Sequence, residues 1–139
     1  MANWQWFGRL HRAVYRASGG RVGGRLVGLD MLLLTTTGRK SRAPRTTPMP
    51  FFRDGERFVI VGSNGGADHD PLWWRNLQAD PRAEIEIGRE RRTVTARLAD
   101  PAERARLWPL LKDWNPNYRR YEARTRREIP VVLLTPAPR

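Results

Sequence analysis

The chain has 139 residues, 40 % of them hydrophobic and 29 % charged, which suits one globular domain with its own core. It has no cysteine, which excludes disulfides, thiolate zinc sites and a cysteine nucleophile. Its net charge is +12, and of 26 basic residues only Lys40 and Lys112 are lysine, so a polyanionic ligand, nucleic acid or an acidic membrane surface is indicated.

Residues 3–17 carry Trp4, Phe7, Leu10, His11 and Val14 at helical spacing, with Arg9, Arg12 and Arg16 set apart, and predict an amphipathic helix. Glycines at 19, 20, 23 and 24 then break regular structure, so 1–25 reads as an N-terminal arm and linker. Aromatic residues opposite arginines suit either peripheral contact with an anionic membrane face or packing back onto the protein. No apolar run approaches the ~20 residues of a membrane-spanning helix. The N-terminus also lacks the layout of a signal peptide, and a cytoplasmic location is expected, with the arm as a candidate contact to the inner membrane face.

Residues 26–139 read as one domain. Leu29 to Thr37 predicts a strand that stops at Gly38. Thr46 to Arg53 predicts a second, which Pro48 and Pro50 confine to an edge. Asp54-Gly55 is a hairpin turn, and Glu56 to Val61 a third strand. A helix is predicted over 71–79, with Asp70 as N-cap and Pro71 at its first position. Ala83 to Ile87 and Arg92 to Leu98 alternate as half-buried strands around Gly88-Arg89. Asp100-Pro101-Ala102-Glu103 is a capping box opening a helix to about Asp113, with Pro109 inside it. A shorter helix follows over Tyr118 to Arg126, and Ile129 to Thr135 is a last apolar strand. About six strands with few helices predict a small barrel.

Three stretches carry chemistry. In Thr36 to Pro48, Arg39, Lys40, Arg42 and Arg45 crowd into seven residues with Ser41, Thr46 and Thr47. Such a crowd repels itself unless it is solvated or closes on an anion, and a glycine-led turn can add backbone N–H donors. In Val61 to Asn76, a strand runs into Gly62, Ser63, Asn64 and two more glycines, and then the helix at Pro71. Small residues there let a ligand approach the backbone. Trp73 and Trp74 can line a flat ring or face the core. In Trp114 to Tyr121, Tyr118 and Tyr121 lie one helical turn apart and share a face, over a ligand or in the core. Asp68-His69-Asp70 reads as a solvated cap rather than a metal cluster, and no metal site is expected. No nucleophile–base pair or acid dyad stands out, which favours chemistry borrowed from a cofactor.

LLLTTTGRKSRAPRTTP at 32–48 and GSNGGADHDPLWWRNLQADP at 62–81 together resemble the actinobacterial deazaflavin-dependent nitroreductase and quinone reductase family. The strand pair at 83–98, ERARLWPLL and the closing IPVVLLTP match in kind and order. The resemblance implies an α+β split β-barrel of the FMN-binding type, with about six mostly antiparallel strands and flanking helices. It also implies the cofactor F420, a deazaflavin with a phosphate and a polyglutamate tail.

Carried over by residue, Arg39, Lys40 and Arg45 would hold the phosphate and tail carboxylates, assisted by Ser41, Thr46 and Thr47. Val61, Gly62, Ser63 and Asn64 would line the ring. Leu72, Trp73, Trp74, Arg75 and Asn76 would close the site, and Tyr118 would face the deazaflavin. The activity implied is hydride transfer from reduced F420 to an organic acceptor such as a quinone or nitroaromatic, with Tyr118, Tyr121 or water as proton source. Asn115 and Pro50 stand where better-known members carry tyrosines, which weakens the case for nitro compounds. A monomer or weak dimer that binds no nucleic acid is expected. The competing readings are a basic nucleic-acid-binding module and a barrel that binds flavin, haem or fatty acid. Against the first, residues 61–90 hold six acids (Asp68, Asp70, Asp80, Glu84, Glu86, Glu90) and three bases (Arg75, Arg82, Arg89).

Overall fold

A computed structural model describes residues 25–26 and 29–138. The helix expected over 3–17, its glycine linker and the membrane contact assigned to them lie outside these residues. The described chain runs β1 (Arg25–Leu26), β2 (Leu29–Thr37), β3 (Pro44–Pro50), β4 (Phe52–Asp54), β5 (Arg57–Val61), a single 3-10 turn (Asn64–Gly66), α1 (Leu72–Ala79), β6 (Arg82–Ile87), β7 (Glu90–Leu98), α2 (Pro101–Trp114), α3 (Asn117–Arg124) and β8 (Val131–Pro136). No helix among the described residues is long and apolar enough to cross a membrane.

All strand pairings are antiparallel, and the sheet runs β3-β2-β6-β7-β8-β5-β4, with β1 also paired to β2. Its two outer strands, β3 and β4, are consecutive in the chain and separated by Phe51 alone. The sheet therefore curls round until its ends meet, which makes the split barrel. Phe51 is also where the expected single run over Thr46 to Arg53 divides. Its N–H donates to the Asp30 carbonyl at 3.0 Å, and its ring turns into the core. Pro48 and Pro50 have no N–H to offer a second neighbour, and β3 pairs with β2 only.

The pleat sorts the apolar residues into two clusters. Leu32, Leu34, Phe58, Ile60, Ile85, Val94, Val132 and Leu134 fill the barrel, where Trp74 and Leu77 of α1 join them. Val59, Val131 and Leu133 point the other way, against Leu107, Trp108 and Leu111 of α2 and Tyr118 of α3. This explains why β8 reads as an unbroken apolar run: both of its faces are covered. Each fully buried Leu or Ile contributes about 1.5–3 kcal/mol.

The helix ends follow local rules at α2 and depart from them at α1. At α2, the Asp100 carboxylate accepts from the Glu103 N–H at 2.8 Å and the Asp100 N–H donates to Glu103 Oε1 at 2.9 Å, closing the expected box. Arg57 bridges Glu103 and Asp54, which ties the β4–β5 hairpin to the start of α2. Hydrogen bonds from Arg106 and then Arg57 pull the Asp54 carboxyl down to about 2. At α1 the expected cap is corrected: Pro71 itself is the capping residue, without a side-chain bond. The Asp70 carboxylate instead accepts from Arg127 at 2.9 Å. Helix α3 stops at Arg124 rather than Arg126, because Thr125 is extended and turns its hydroxyl to the Ala67 carbonyl at 3.3 Å.

Candidate functional site

The basic stretch forms the tip of the β2–β3 hairpin. Thr36 pairs with Arg45 and Thr37 with Pro44, so residues 38–43 turn the chain. The turn is closed by Gly38 N–H to the Ala43 carbonyl and Arg42 N–H to the Gly38 carbonyl, both at 2.8 Å. Ser41 Oγ accepts the Ala43 N–H at 3.1 Å, and a Cβ on Gly38 would meet that oxygen at 2.6 Å. A side chain at 38 would displace the Ser41 hydroxyl from the Ala43 N–H and crowd the Ala43 carbonyl, 3.1 Å away, so close approach favours glycine there. Across the strands, the Thr35 and Thr46 hydroxyls bond to each other at 2.8 Å, and Thr47 lies half-buried next to them.

Arg42, in the left-handed region with φ 62°, reaches Asp80 at 3.7 Å. Arg39, Lys40 and Arg45 have no carboxylate partner among the described residues. Lys40 and Arg45 are exposed and Arg39 half-buried.

Asn76 fixes this turn to α1. Its Oδ1 accepts the Arg39 N–H at 3.1 Å, and its Nδ2 donates to Thr36 Oγ1 at 3.1 Å. Asn76 is buried, so both ends of its amide are satisfied within the fold. The other end of α1 meets the glycine-rich stretch. A Cβ on Gly62 would strike the Pro130 ring at 2.6 Å and lie 3.5 Å from Pro71. Helix α1 thus joins the two sequence motifs, which meet it about 6 Å apart along its axis. Along that helix Leu72 and Arg75 are exposed, Trp73 is half-buried, and Trp74 is a core residue of the barrel.

Between Gly62 and Pro71 the backbone turns sharply, with Asn64, Gly65 and Gly66 at φ 48°, 65° and 83°. Asn64 is an asparagine, which tolerates this region better than most residues. Gly66 N–H donates to the Ser63 carbonyl at 2.9 Å and Ala67 N–H to the Asn64 carbonyl at 3.1 Å. Asn64 Nδ2 donates to the His69 carbonyl at 3.2 Å, while Asp68 receives the Thr125 hydroxyl at 3.3 Å. Helix α3 packs on this turn: a Cβ on Gly66 would lie 3.1 Å from Tyr121 Cα.

Tyr118 and Tyr121 do share a face, with ring centroids 6.4 Å apart. Their surroundings differ. Tyr118 is 3 % exposed, stacks on Trp108 at 6.0 Å and sits in the outer cluster, on the sheet face opposite to Trp74. Burial pushes its hydroxyl up to about 12, partly offset by the Asn115 side chain. Tyr121 is half-buried. Asn115 ends α2, and its Oδ1 accepts the Asn117 N–H at 3.2 Å. Pro50 closes β3 opposite Met31. A cavity of about 130 Å³ lined by Arg53, Phe58, Ile85 and Ile87 lies at the other end of the barrel and is no larger than one small ring.

One residue that organises the site is absent from the motif reading. Arg127, in the link from α3 to β8, donates to the carbonyls of Gly62, Ser63 and Ala67 as well as to Asp70. An arginine 57 or more residues from its partners gives no spacing signal, and the run of arginines around it hides it further.

The curled antiparallel barrel is shared with solved proteins. A structure described as an F420-H2 dependent reductase superposes with a TM-score of 0.68 at 32 % identity, covering 75 % of this chain and 92 % of that one. The class is therefore that of split-barrel reductases. The profile of the F420H(2)-dependent quinone reductase family matches residues 6–136, and the chain belongs to that family. An F420H(2)-dependent quinone reductase of Mycobacterium tuberculosis is 47 % identical over 131 residues, 91 % of this chain and 88 % of the relative. A solved chain described as a domain-swapped dimer is 27 % identical with a TM-score of 0.72, covering 96 % of this chain and 98 % of its own length.

Proposed function

We propose that the chain reduces a quinone-type acceptor at a site running along α1, from the Ser63–Gly66 turn to the tip of the β2–β3 hairpin. The observation that carries this reading is the Asn76 bridge, which ties the turn bearing Arg39, Lys40 and Arg45, three cations with no carboxylate partner among the described residues, to the helix that starts at the glycine-rich turn. The donor set fits F420. Arg39, Lys40 and Arg45 match a phosphate and a string of carboxylates, since charge-assisted contacts are the strong ones. The hydroxyls of Ser41, Thr46 and Thr47 add neutral donors on the same hairpin. Gly62 is closed off by Pro130, but the N–H groups of Ser63 and Asn64, which have no acceptor among the described residues, are free to meet the edge of a flat ring.

Reduced F420, when bound, supplies the hydride. The protein's part is to hold the ring, exclude water and present the acceptor at the correct distance. Leu72, Trp73 and Arg75 form the outer side of α1 and cover the site, while Trp74 supports the helix from within the barrel. Of the two tyrosines, Tyr121 is the one with accessible surface, and it is the proton source we assign. Tyr118 packs behind it and fixes its orientation.

The test is turnover of reduced F420 with menadione as acceptor. Oxidation of F420 that depends on both protein and quinone is expected, and reduced FMN should not substitute. Turnover with reduced FMN at an equal or higher rate would overturn the reading.

A further inference from the structure

We propose that Arg127 is a positioning residue for the cofactor ring: it fixes the peptide groups that carry the N–H donors of Ser63 and Asn64. The proposal rests on the F420 site described above.

The Arg127 side chain is 15 % exposed, and its guanidinium spends its donors on one loop. Nη2 donates to the carbonyls of Gly62 at 3.0 Å and Ser63 at 2.9 Å. Nε donates to the Ala67 carbonyl at 2.9 Å, and Nη1 to Asp70 Oδ1 at 2.9 Å. Both limbs of the Gly62–Asp70 loop are thereby clamped from one side. The link that carries Arg127 is itself held, because the Pro130 carbonyl accepts the Gly62 N–H at 2.9 Å and the Ile129 carbonyl accepts from Arg104.

The consequence follows from peptide geometry. In a trans peptide the C=O and the next N–H point in opposite directions, and no cis bond occurs among the described residues. With the Gly62 and Ser63 carbonyls turned onto Arg127, the N–H groups of Ser63 and Asn64 must point away from it. Neither N–H has an acceptor among the described residues. Two adjacent donors on a sharp turn form a concave site for a carbonyl or oxyanion. The cation behind them also polarises both peptides, which strengthens the donors. Lysine cannot replace this arrangement, since it is a point charge without the planar fork.

Arg127→Lys and Asp70→Asn in the full chain test this. Three measurements are compared with wild type: amide exchange over 62–70 without cofactor, binding of oxidised F420 with the position of its absorption band, and kcat with menadione. For Arg127→Lys, exchange in the turn should rise about tenfold or more. Its kcat should fall about tenfold or more, because a small misplacement of the ring suffices. The Kd should rise less than roughly threefold, since the hairpin cations hold the tail. The bound absorption band should move towards that of free F420. Asp70→Asn, which leaves the three carbonyl contacts, should shift kcat and the band in the same direction by a smaller factor. It decides the matter if Arg127→Lys fails to fold. Folded variants with wild-type kcat and band position would overturn the proposal, as would a rise in Kd with kcat unchanged. Absence of F420 binding in the wild-type chain would overturn the site reading and this proposal together; indifferent variants of a binding-competent wild type would overturn this proposal alone.

Discussion

Lys40 and Arg45 are exposed side chains on one hairpin tip, so their removal leaves both cores intact. Each charge-assisted contact to a bound anion contributes about 1.5–3 kcal/mol. The Lys40→Ala, Arg45→Ala double variant should therefore raise the Kd for F420 about a hundredfold or more. Its urea midpoint should stay close to that of wild type. Unchanged affinity would show that the two cations are solvated and bind nothing. The tyrosines make the opposite contrast. Tyr121→Phe should lower kcat with menadione by about tenfold, as loss of a general acid that water partly replaces. Tyr118→Phe should change kcat less than roughly threefold and act on stability instead. The Tyr118 hydroxyl is raised by burial to about 12 in the fold, against about 10 for a free tyrosine. Because the folded value is the higher one, its contribution is fully present below about pH 10 and is lost as pH rises through about 12. Urea midpoints of the wild-type chain should fall across that window, and those of Tyr118→Phe should fall less.

At the scale of elements, α1 is the part on which the site depends. Asn76→Ala leaves the Arg39 N–H and the Thr36 hydroxyl without their partner, which costs about 1–3 kcal/mol. A drop in Tm of several degrees is expected, with a weakened F420 affinity that Leu77→Ala, a loss of packing on the same helix, should not match in proportion. Equal ratios of affinity loss to stability loss in the two variants would contradict a specific tie between Asn76 and the basic turn. The three helices together show what a sequence can and cannot disclose. The Asp100–Glu103 box was legible because its partners are three residues apart and the signal is local. The cap at Asp70 was misread because a partner 57 residues away, Arg127, takes the carboxylate. Trp73 and Trp74 are adjacent, so periodicity could say that one of them faces the core but not which. For Tyr118 and Tyr121 the helical spacing leaves a ligand face and a core face equally open. Only the packing of α3 on α2 shows that the Tyr118 ring stacks on Trp108 inside the outer cluster.

For the whole molecule, the order of the motifs carried the fold further than the count of strands did. The turn, the glycine-rich stretch, the capping box and the closing apolar strand each occupy the place expected of them. The strand count fell short because a two-residue strand and a break at Phe51 have no pattern of their own. The charge of +12 is likewise uneven. Many arginines are taken up by structural pairs with Asp54, Glu103, Asp70 and Asp113, whereas Arg39, Lys40 and Arg45, with no carboxylate partner among the described residues, stand together on one hairpin. The most direct measurement is therefore a parallel titration of the full chain with F420 species of increasing tail length and with FMN. Affinity that rises with the number of tail carboxylates and exceeds that for FMN by about tenfold or more is expected, because FMN offers the turn a single phosphate. Equal affinity for FMN, or no dependence on tail length, would contradict the assignment of Arg39, Lys40 and Arg45 to the cofactor.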